Sequence, residues 1–329
     1  MIGLWDTTGN AVVKALSAER RSAGGLASGL ALTLVAVVDE AQVRDAEAAA
    51  TIAASAHPCR LLIVVRQEVT HQVSRLDAEI VVGGRLGPCE AVVMRMRGRL
   101  ALHAESVVMP LLAPDVPVVT WWHVAPPSRI AYDPLGVVAE RRITDTRQAP
   151  DRIAALRRRA EDYSPGDTDL AWTRATPWRT HIAGAFDTID TPVQSITITG
   201  PEFSTTAALL GGWLTARLGI PVQHKYAKGD LLQSVSIDLV DGRRIELTRQ
   251  GDNGTGILRR TGLPDRTLPL IRRPLGEELA EELRRLDADQ TYAASLSGAT
   301  GVPGLDDRPA TRVHIWKDPA LAEQPEKAA

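Results

Sequence analysis

Cysteine is scarce in this sequence: its 329 residues include only two, Cys59 and Cys89. Two cysteines cannot form the disulfide framework of a secreted domain, and this pair makes no C-x-x-C motif, so the composition fits a reducing cytoplasm. A redox switch would require the two side chains to meet in the folded chain. The alternative is that both are small apolar residues in or beside strands.

The chain has no excess of either charge, since 38 lysines and arginines and 40 acidic residues give a formal net charge of −2. Without a strong positive field, we expect neither nucleic acid nor an acidic membrane as a partner. Long hydrophobic runs are also missing. The longest uncharged run, residues 22–38, is glycine-rich, too short for a membrane span and without a signal-peptide cleavage site. A glycine-rich loop leading into a buried strand explains it better, so we expect a soluble, cytoplasmic protein.

Motifs of common enzyme classes are absent as well. The sequence has no G-x-S-x-G elbow, no G-x-x-x-x-G-K-[ST] loop and no H-E-x-x-H pair. Its seven histidines are scattered, without carboxylates at metal-ligand spacing. The glycine cluster at 24–29 precedes a strand and the cluster at 251–256 lies between strands, whereas a dinucleotide fingerprint follows a strand and opens a helix. We therefore predict no catalytic residues, no metal site and no cofactor.

The apolar pattern predicts two α/β domains, because 329 residues exceed what one core usually covers. In the first half, near-continuous apolar runs alternate with helical stretches, which is typical of a mostly parallel, Rossmann-like layered sheet covered on both faces. The strands are predicted at 30–38, 61–65, 78–82, 91–96, 116–122 and 141–144, and the helices at 40–55, 100–112 and 150–161.

The turn signal Ser164-Pro165-Gly166 predicts the domain boundary. The N-terminal α/β domain would span 1–163, a smaller mixed-sheet α/β domain 164–316, and a disordered tail 317–329. In the second domain we predict a helix opened by Thr176-Pro177, a strand at 195–199, a helix at 205–218 and a strand at 256–260. Asp241-Gly242 predicts a hairpin between 234–240 and 244–249. The spacing of Asp287 and Gln290 predicts the cap of a last helix.

Residues 166–179, GDTDLAWTRATPWR, concentrate carboxylates, tryptophans and arginines, which are costly to bury and typical of recognition surfaces. Trp121 and Trp122 are neighbours in a strand, so one would fill the core while the other faces a groove or a partner; the alternative packs both under helices. The candidate partner-binding or interdomain residues are Asp167, Asp169, Trp172, Arg174, Trp178, Arg179, Trp121 and Trp122.

The basic runs at 157–159 and 272–273 are either solvated or sites for a phosphate or an acidic partner.

This segment and five other blocks, in the same order, resemble the OpcA family, whose members help to assemble and activate glucose-6-phosphate dehydrogenase. The other blocks are HPCRLLIVV (57–65), RLDAEIVVGG (75–84), PDVPVVTWW (114–122), DPLGVVAERRITD (133–145) and LRRLDADQTYAASL (283–296).

The resemblance implies a non-catalytic assembly factor and allosteric activator that binds glucose-6-phosphate dehydrogenase, in the oxidative pentose phosphate pathway. The nicotinamide site would then lie on the partner. The competing hypothesis is a sugar-phosphate enzyme of isomerase or lactonase type. It would require a histidine such as His57, His123 or His224 to meet a carboxylate in a deep cleft.

Overall fold

The computed structural model describes residues 1–22, 29–83, 89–187, 189–251 and 253–309. These residues divide into two compact units. The first draws on Met1–Thr144 and Leu275–Asp287, and the second on Asp145–Pro274 and the described part of Ala288–Ala310. The tail predicted at 317–329 and most of the predicted glycine-rich loop fall outside the described residues, and the boundary at 163 and 164 stays a prediction.

The α/β class predicted from the sequence is confirmed by the elements of both units. In chain order the strands are β1 (Ile2–Leu4), β2 (Leu32–Val38), β3 (Cys59–Gln67), β4 (Arg75–Val82), β5 (Glu90–Arg97), β6 (Val118–Trp122), β7 (Arg141–Thr144), β8 (Asp167–Asp169), β9 (Val193–Gly200), β10 (Val222–Tyr226), β11 (Ser234–Leu239), β12 (Arg244–Gln250), β13 (Thr255–Arg260) and β14 (Leu263–Pro269). The helices are α1 (Gly9–Ser22), α2 (Val43–Ala56), α3 (Arg99–Leu102), α4 (Glu105–Val108), α5 (Pro134–Val137), α6 (Arg152–Glu161), α7 (Leu170–Phe186), α8 (Thr205–Leu218), α9 (Leu275–Leu283) and α10 (Gln290–Thr300). None of the helices within the described ranges combines the length and apolar character that crossing a membrane requires.

The strands of the first unit lie in the order β1-β4-β5-β3-β2-β6-β7. The neighbours from β5 to β7 are parallel, whereas β4 runs antiparallel to both β1 and β5. Every residue of the central strand β2 is buried, as expected of a sheet covered on both faces. The predicted mostly parallel sheet is therefore confirmed.

The continuous helix predicted over 100–112 is wrong. The chain forms α3, then α4, then a 3-10 turn at Met109–Leu111, and His103 leaves helical geometry with φ −112° and ψ 42°. Pro110 lies in that turn. Because proline has no backbone N–H to donate and its ring crowds the preceding turn, it disfavours a regular α-helix at this position without forbidding one.

The strands of the second unit lie in the order β10-β9-β11-β12-β13-β14. Strands β9 and β10 are parallel and joined through α8, whereas the other neighbours are antiparallel. The predicted mixed sheet and the hairpin between β11 and β12 are confirmed, with Gly242 at φ 85° in the turn. Helix α8 has the predicted bounds and ends at Gly219, whose φ of 69° is left-handed.

Candidate functional site

Helix α7 carries the Trp- and Arg-rich segment, and it begins at Leu170 rather than at the predicted Thr176-Pro177. Asp169 is the N-cap: its backbone is extended, and its carboxylate accepts a hydrogen bond from the Ala171 amide at 2.9 Å. Pro177 lies inside the helix. The predicted helix start was wrong because Pro177 was taken as a first-turn proline, whereas α7 contains it in its interior.

The two carboxylates of the segment fix the path of the chain into α7. Asp169 is fully buried and also accepts hydrogen bonds from the Thr146 amide at 2.9 Å and the Thr146 hydroxyl at 3.0 Å. Asp167 accepts a hydrogen bond from the Ser164 amide at 2.8 Å. Both carboxylates therefore satisfy backbone donors that the turn would otherwise leave buried.

Trp172 joins α7 to α10. Its side chain is 2% exposed, and its Nε1–H donates to Asp289 Oδ2 at 2.8 Å. The Arg179 guanidinium lies 3.4 Å from the centre of the indole, within cation–π range, and the Tyr292 ring centre is 5.9 Å away. Asp289 in turn caps α10 by accepting the Tyr292 amide at 3.0 Å. The indole N–H of Trp172 therefore has its hydrogen-bond acceptor within the second unit.

Arg174 makes a bidentate ion pair with Asp145. Its Nη1 and Nη2 donate to the two carboxylate oxygens at 2.7 and 2.8 Å, and the two side chains are 15% and 4% exposed. Asp145 Oδ1 also accepts the Arg147 amide at 3.2 Å. The planar fork of an arginine matches a carboxylate in this geometry, which a lysine could not reproduce.

Trp178 lies one helical turn after Arg174 and is 2% exposed. The Arg249 guanidinium is 5.6 Å from its ring centre. Arg249 is held there by backbone carbonyls, donating from Nε to Leu232 at 3.0 Å and from Nη1 to Leu270 at 2.6 Å. The α7 segment therefore forms a framework around two arginine–tryptophan contacts, at Trp172 and Trp178.

Trp121 and Trp122 lie in the first unit, on opposite faces of β6. They are 0% and 1% exposed, so both fill core space. The Trp121 ring lies 4.7 Å from the ring of His123, while Trp122 packs in the apolar cluster that contains Val12 and Leu135.

Cys59 and Cys89 are buried neighbours, both with free thiols. They precede the paired residues Arg60 and Glu90 on adjacent parallel strands, and the Cys59 amide donates to Cys89 Sγ at 3.4 Å. Adjacent strands are about 4.8 Å apart, so the pair meets the limit of about 7 Å between Cα atoms that a disulfide needs. Redox control through this pair stays a hypothesis.

The three histidines named for the enzyme hypothesis lie on separate elements: His57 follows α2, His123 follows β6 and His224 lies in β10. His57 Nε2 lies 3.0 Å from the Ala280 carbonyl oxygen, and partial burial lowers the pKa of His224. His123 is buried beside Trp121. No group of three or more His, Cys, Asp or Glu side chains with metal-binding geometry occurs in the part of the chain that the structure describes.

Sequence reasoning missed the partners of the α7 side chains, namely Asp145, Arg249, Asp289 and Tyr292. A signal for three of them was present, because Asp145 ends the block at 133–145 and the other two lie in the block at 283–296. Arg249, inside a predicted strand, gave no such signal.

Together, the fold and this site define a two-unit α/β protein whose second unit is organised around buried Trp, Arg and Asp side chains. Residues 50–161 match the family model described as the glucose-6-phosphate dehydrogenase subunit N-terminal domain, and residues 165–296 match the corresponding C-terminal domain. The chain therefore belongs to the OpcA family of glucose-6-phosphate dehydrogenase assembly proteins.

Solved structures with partial similarity include two oxidoreductases. One, from Sinorhizobium meliloti, is 13% identical with a TM-score of 0.45, and the match covers 82% of this chain and 95% of that chain. An NAD binding oxidoreductase from Klebsiella pneumoniae is 10% identical with a TM-score of 0.41, covering 83% of this chain and 95% of that one. No curated protein sequence matches the chain.

Proposed function

We propose that this protein is a non-catalytic assembly factor and allosteric activator that binds glucose-6-phosphate dehydrogenase in the cytoplasm. The observation that supports the proposal is the pair of family matches, N-terminal then C-terminal, over residues 50–161 and 165–296. The names of both matched models refer to this dehydrogenase. An assembly factor acts by binding, so it needs no reacting groups of its own.

Activation by binding has a definite energetic requirement. The protein must bind the active or assembled form of the dehydrogenase more tightly than the inactive form, and a tenfold preference corresponds to about 1.4 kcal/mol. A protein that bound both forms equally would shift nothing, however tight the complex.

We propose the second unit as the partner-binding unit, with the α7 segment as its internal support. Phe203 and Tyr226 are 58% and 69% exposed. Tyr226 pairs with Gly200, three residues before Phe203, so the topology brings both aromatics to the same end of β9 and β10. Phe203 also has a φ of 58°, which is costly for a bulky residue and frequent at functional positions. Exposed aromatics of this kind are typical anchors of protein interfaces.

The test is co-purification with the dehydrogenase, followed by the mass of the complex and the dehydrogenase activity. We expect a complex of defined mass and a higher activity than the dehydrogenase has alone. Phe203→Ser and Tyr226→Ser should weaken the complex, whereas Val240→Ser, an apolar residue of the same unit that is 59% exposed, should not. Equal binding by all three variants would move the partner surface elsewhere, and the absence of any complex would overturn the proposal.

The enzyme hypothesis is tested separately. We expect the purified protein alone to turn over neither glucose 6-phosphate nor its lactone. Turnover that one substitution of a histidine or carboxylate abolishes would contradict the non-catalytic proposal.

A further inference from the structure

The second unit contains a surface cleft that the proposed function does not use. Its volume is about 630 Å³, within the usual range for small-molecule sites. Its described lining residues come from the chain before β11, from the end of β12 and from the segment after β14: Lys228, Gly229, Asp230, Leu231, Gln233, Thr248, Arg249, Gly251 and Arg272.

The described lining is strongly cationic, with Lys228, Arg249 and Arg272 against one carboxylate, Asp230. The hydrogen bonds from Arg249 to the carbonyls of Leu232 and Leu270 hold its guanidinium in place. The side chains of Lys228 and Arg272 make no hydrogen bond or ion pair with any residue in the described ranges. Two cations are thus available to a ligand, and a third is held in place.

A second group of arginines adds to the positive charge near the cleft. Arg147 shares Asp145 with Arg174, because its amide and the Arg174 guanidinium bond to the same carboxylate. Burial first, and then the nearby charges of Arg272 and Arg174, lower the pKa of Arg147. The effect of Arg272 on Arg147 shows that the two guanidinium groups lie near each other, which places further positive charge beside the cleft.

The wall of the cleft leaves room for a ligand to approach the backbone. Gly229 and Gly251 have φ values of 114° and 50°, and a Cβ placed on either would meet no described atom within 4 Å. Thr248 contributes a hydroxyl to the same wall. Cationic side chains, a hydroxyl and open glycine backbone are the combination that phosphate recognition uses.

We propose that this cleft binds a small molecule carrying a phosphate or diphosphate group, with Arg272 and Lys228 as its direct charge partners and Arg249 as the fixed base of the site. A dianionic group would match the two positive charges of Lys228 and Arg272. The concave shape favours a small ligand over an extended acidic segment of a protein. The inference does not depend on binding to the dehydrogenase.

The test is isothermal titration calorimetry of the full chain with inorganic pyrophosphate in phosphate-free buffer at low salt. We expect one site per molecule and an affinity that falls as salt is added. Arg272→Gln and Lys228→Gln should each weaken binding by about tenfold or more, as expected for loss of a charge-assisted contact. Arg266→Gln removes the same charge from an exposed position on β14 and should leave the affinity within about twofold of the unchanged protein.

Citrate and a hexaglutamate peptide serve as comparison ligands, and thermal melting checks the fold of each variant. Weaker binding of both comparison ligands supports a phosphate site. Equal weakening by all three variants would reduce the effect to general charge and overturn the proposal. Citrate binding as tightly as pyrophosphate would also overturn it. So would a result in which pyrophosphate gives no heat of binding while hexaglutamate binds and loses that binding in Arg272→Gln. If Arg272→Gln melts early, Lys228→Gln decides the outcome.

Discussion

Arg174 and Asp145 form a two-bond ion pair in which the carboxylate is 4% exposed. Arg174→Gln would leave that buried charge with weaker, neutral donors. Breaking a buried pair from one side costs more than the pair itself contributes. We expect the free energy of unfolding, measured with urea, to fall by about 3 kcal/mol.

Arg243→Gln provides the matched control for that measurement. Its pair with Asp241 is 40% and 38% exposed, so we expect a much smaller loss of stability than for Arg174→Gln. Similar losses from the two substitutions would mean that burial of the Arg174 pair has no energetic consequence.

The cysteine pair gives a prediction about pH. Hydrogen bonding from Cys59 lowers the pKa of Cys89 to about 6, whereas the same bond together with burial raises the pKa of Cys59 well above its usual value. We expect one thiolate per molecule to appear near pH 6, measured by ultraviolet thiolate absorbance. In Cys59→Ala that transition should move up towards about 8.5, the value of a free thiol.

The sign of the effect on stability follows from the same shift. Between about pH 6 and pH 8.5 the folded chain binds fewer protons at Cys89 than the unfolded chain does. The contribution of Cys89 to stability is therefore present above about pH 8.5 and is lost as the pH falls through 6. The check is the difference in unfolding free energy between the unchanged protein and Cys89→Ala, measured across this pH range. If that difference stays constant, the lowered pKa of Cys89 is contradicted.

The concentration of Trp, Arg and Asp at residues 166–179 could single out the α7 side chains from the sequence, but it could not identify their partners. The N–H of a buried tryptophan usually finds an acceptor, so the sequence could suggest that Trp172 has a hydrogen-bond partner but not which one. That the acceptor is Asp289, 117 residues further on, depends on how α7 packs against α10. Long-range pairing of this sort leaves no local pattern in the chain.

At the scale of elements, the predictions succeeded where local chemistry decides the structure. Gly219 ends α8 because it adopts left-handed geometry at little cost, and Asp241-Gly242 turns the hairpin for the same reason. The start of α7 was misplaced because a proline was assigned to the first turn. For the last helix, Asp289 is the cap rather than the predicted Asp287.

The crossing of α8 and α10 predicts a strong effect at one glycine. A Cβ on Gly212 would lie 2.0 Å from the Ser295 carbonyl oxygen and 2.5 Å from the Ala299 amide, so the helices would have to separate. We expect Gly212→Ala to lower the free energy of unfolding by about 2–3 kcal/mol, measured by denaturant titration.

Gly184→Ala, in α7, supplies the comparison. A Cβ there meets no described atom within 4 Å, so only helix propensity changes and stability should rise by up to about 1 kcal/mol. Destabilisation by both substitutions to the same extent would rule out the close helix crossing as the cause.

At the scale of the whole molecule, apolar periodicity predicted the layered α/β architecture but not how the chain is shared between units. Helix α9 comes late in the sequence, yet it packs on α2 in the first unit. Its Gly276 lies against the Ala49 carbonyl and Ile52, and its Glu282 forms a buried ion pair with Arg141. Those contacts join residues more than a hundred positions apart, which periodicity cannot report.

The role of the α7 segment in the complex can be decided with Trp172→Ala. The indole is 2% exposed and bonded to Asp289, so its removal should lower the free energy of unfolding by about 3–5 kcal/mol. If the segment supports the second unit from within, the dissociation constant of the dehydrogenase complex, measured well below the melting temperature, should change by less than about threefold. Phe203→Ser should do the reverse, weakening the complex while leaving the melting temperature nearly unchanged, because Phe203 is 58% exposed. The opposite outcome is a Trp172→Ala protein that keeps its stability but binds the dehydrogenase more weakly by about 2 kcal/mol. That result would make this tryptophan an interface hot spot. It would also mean that the second unit rearranges to expose it when the dehydrogenase binds.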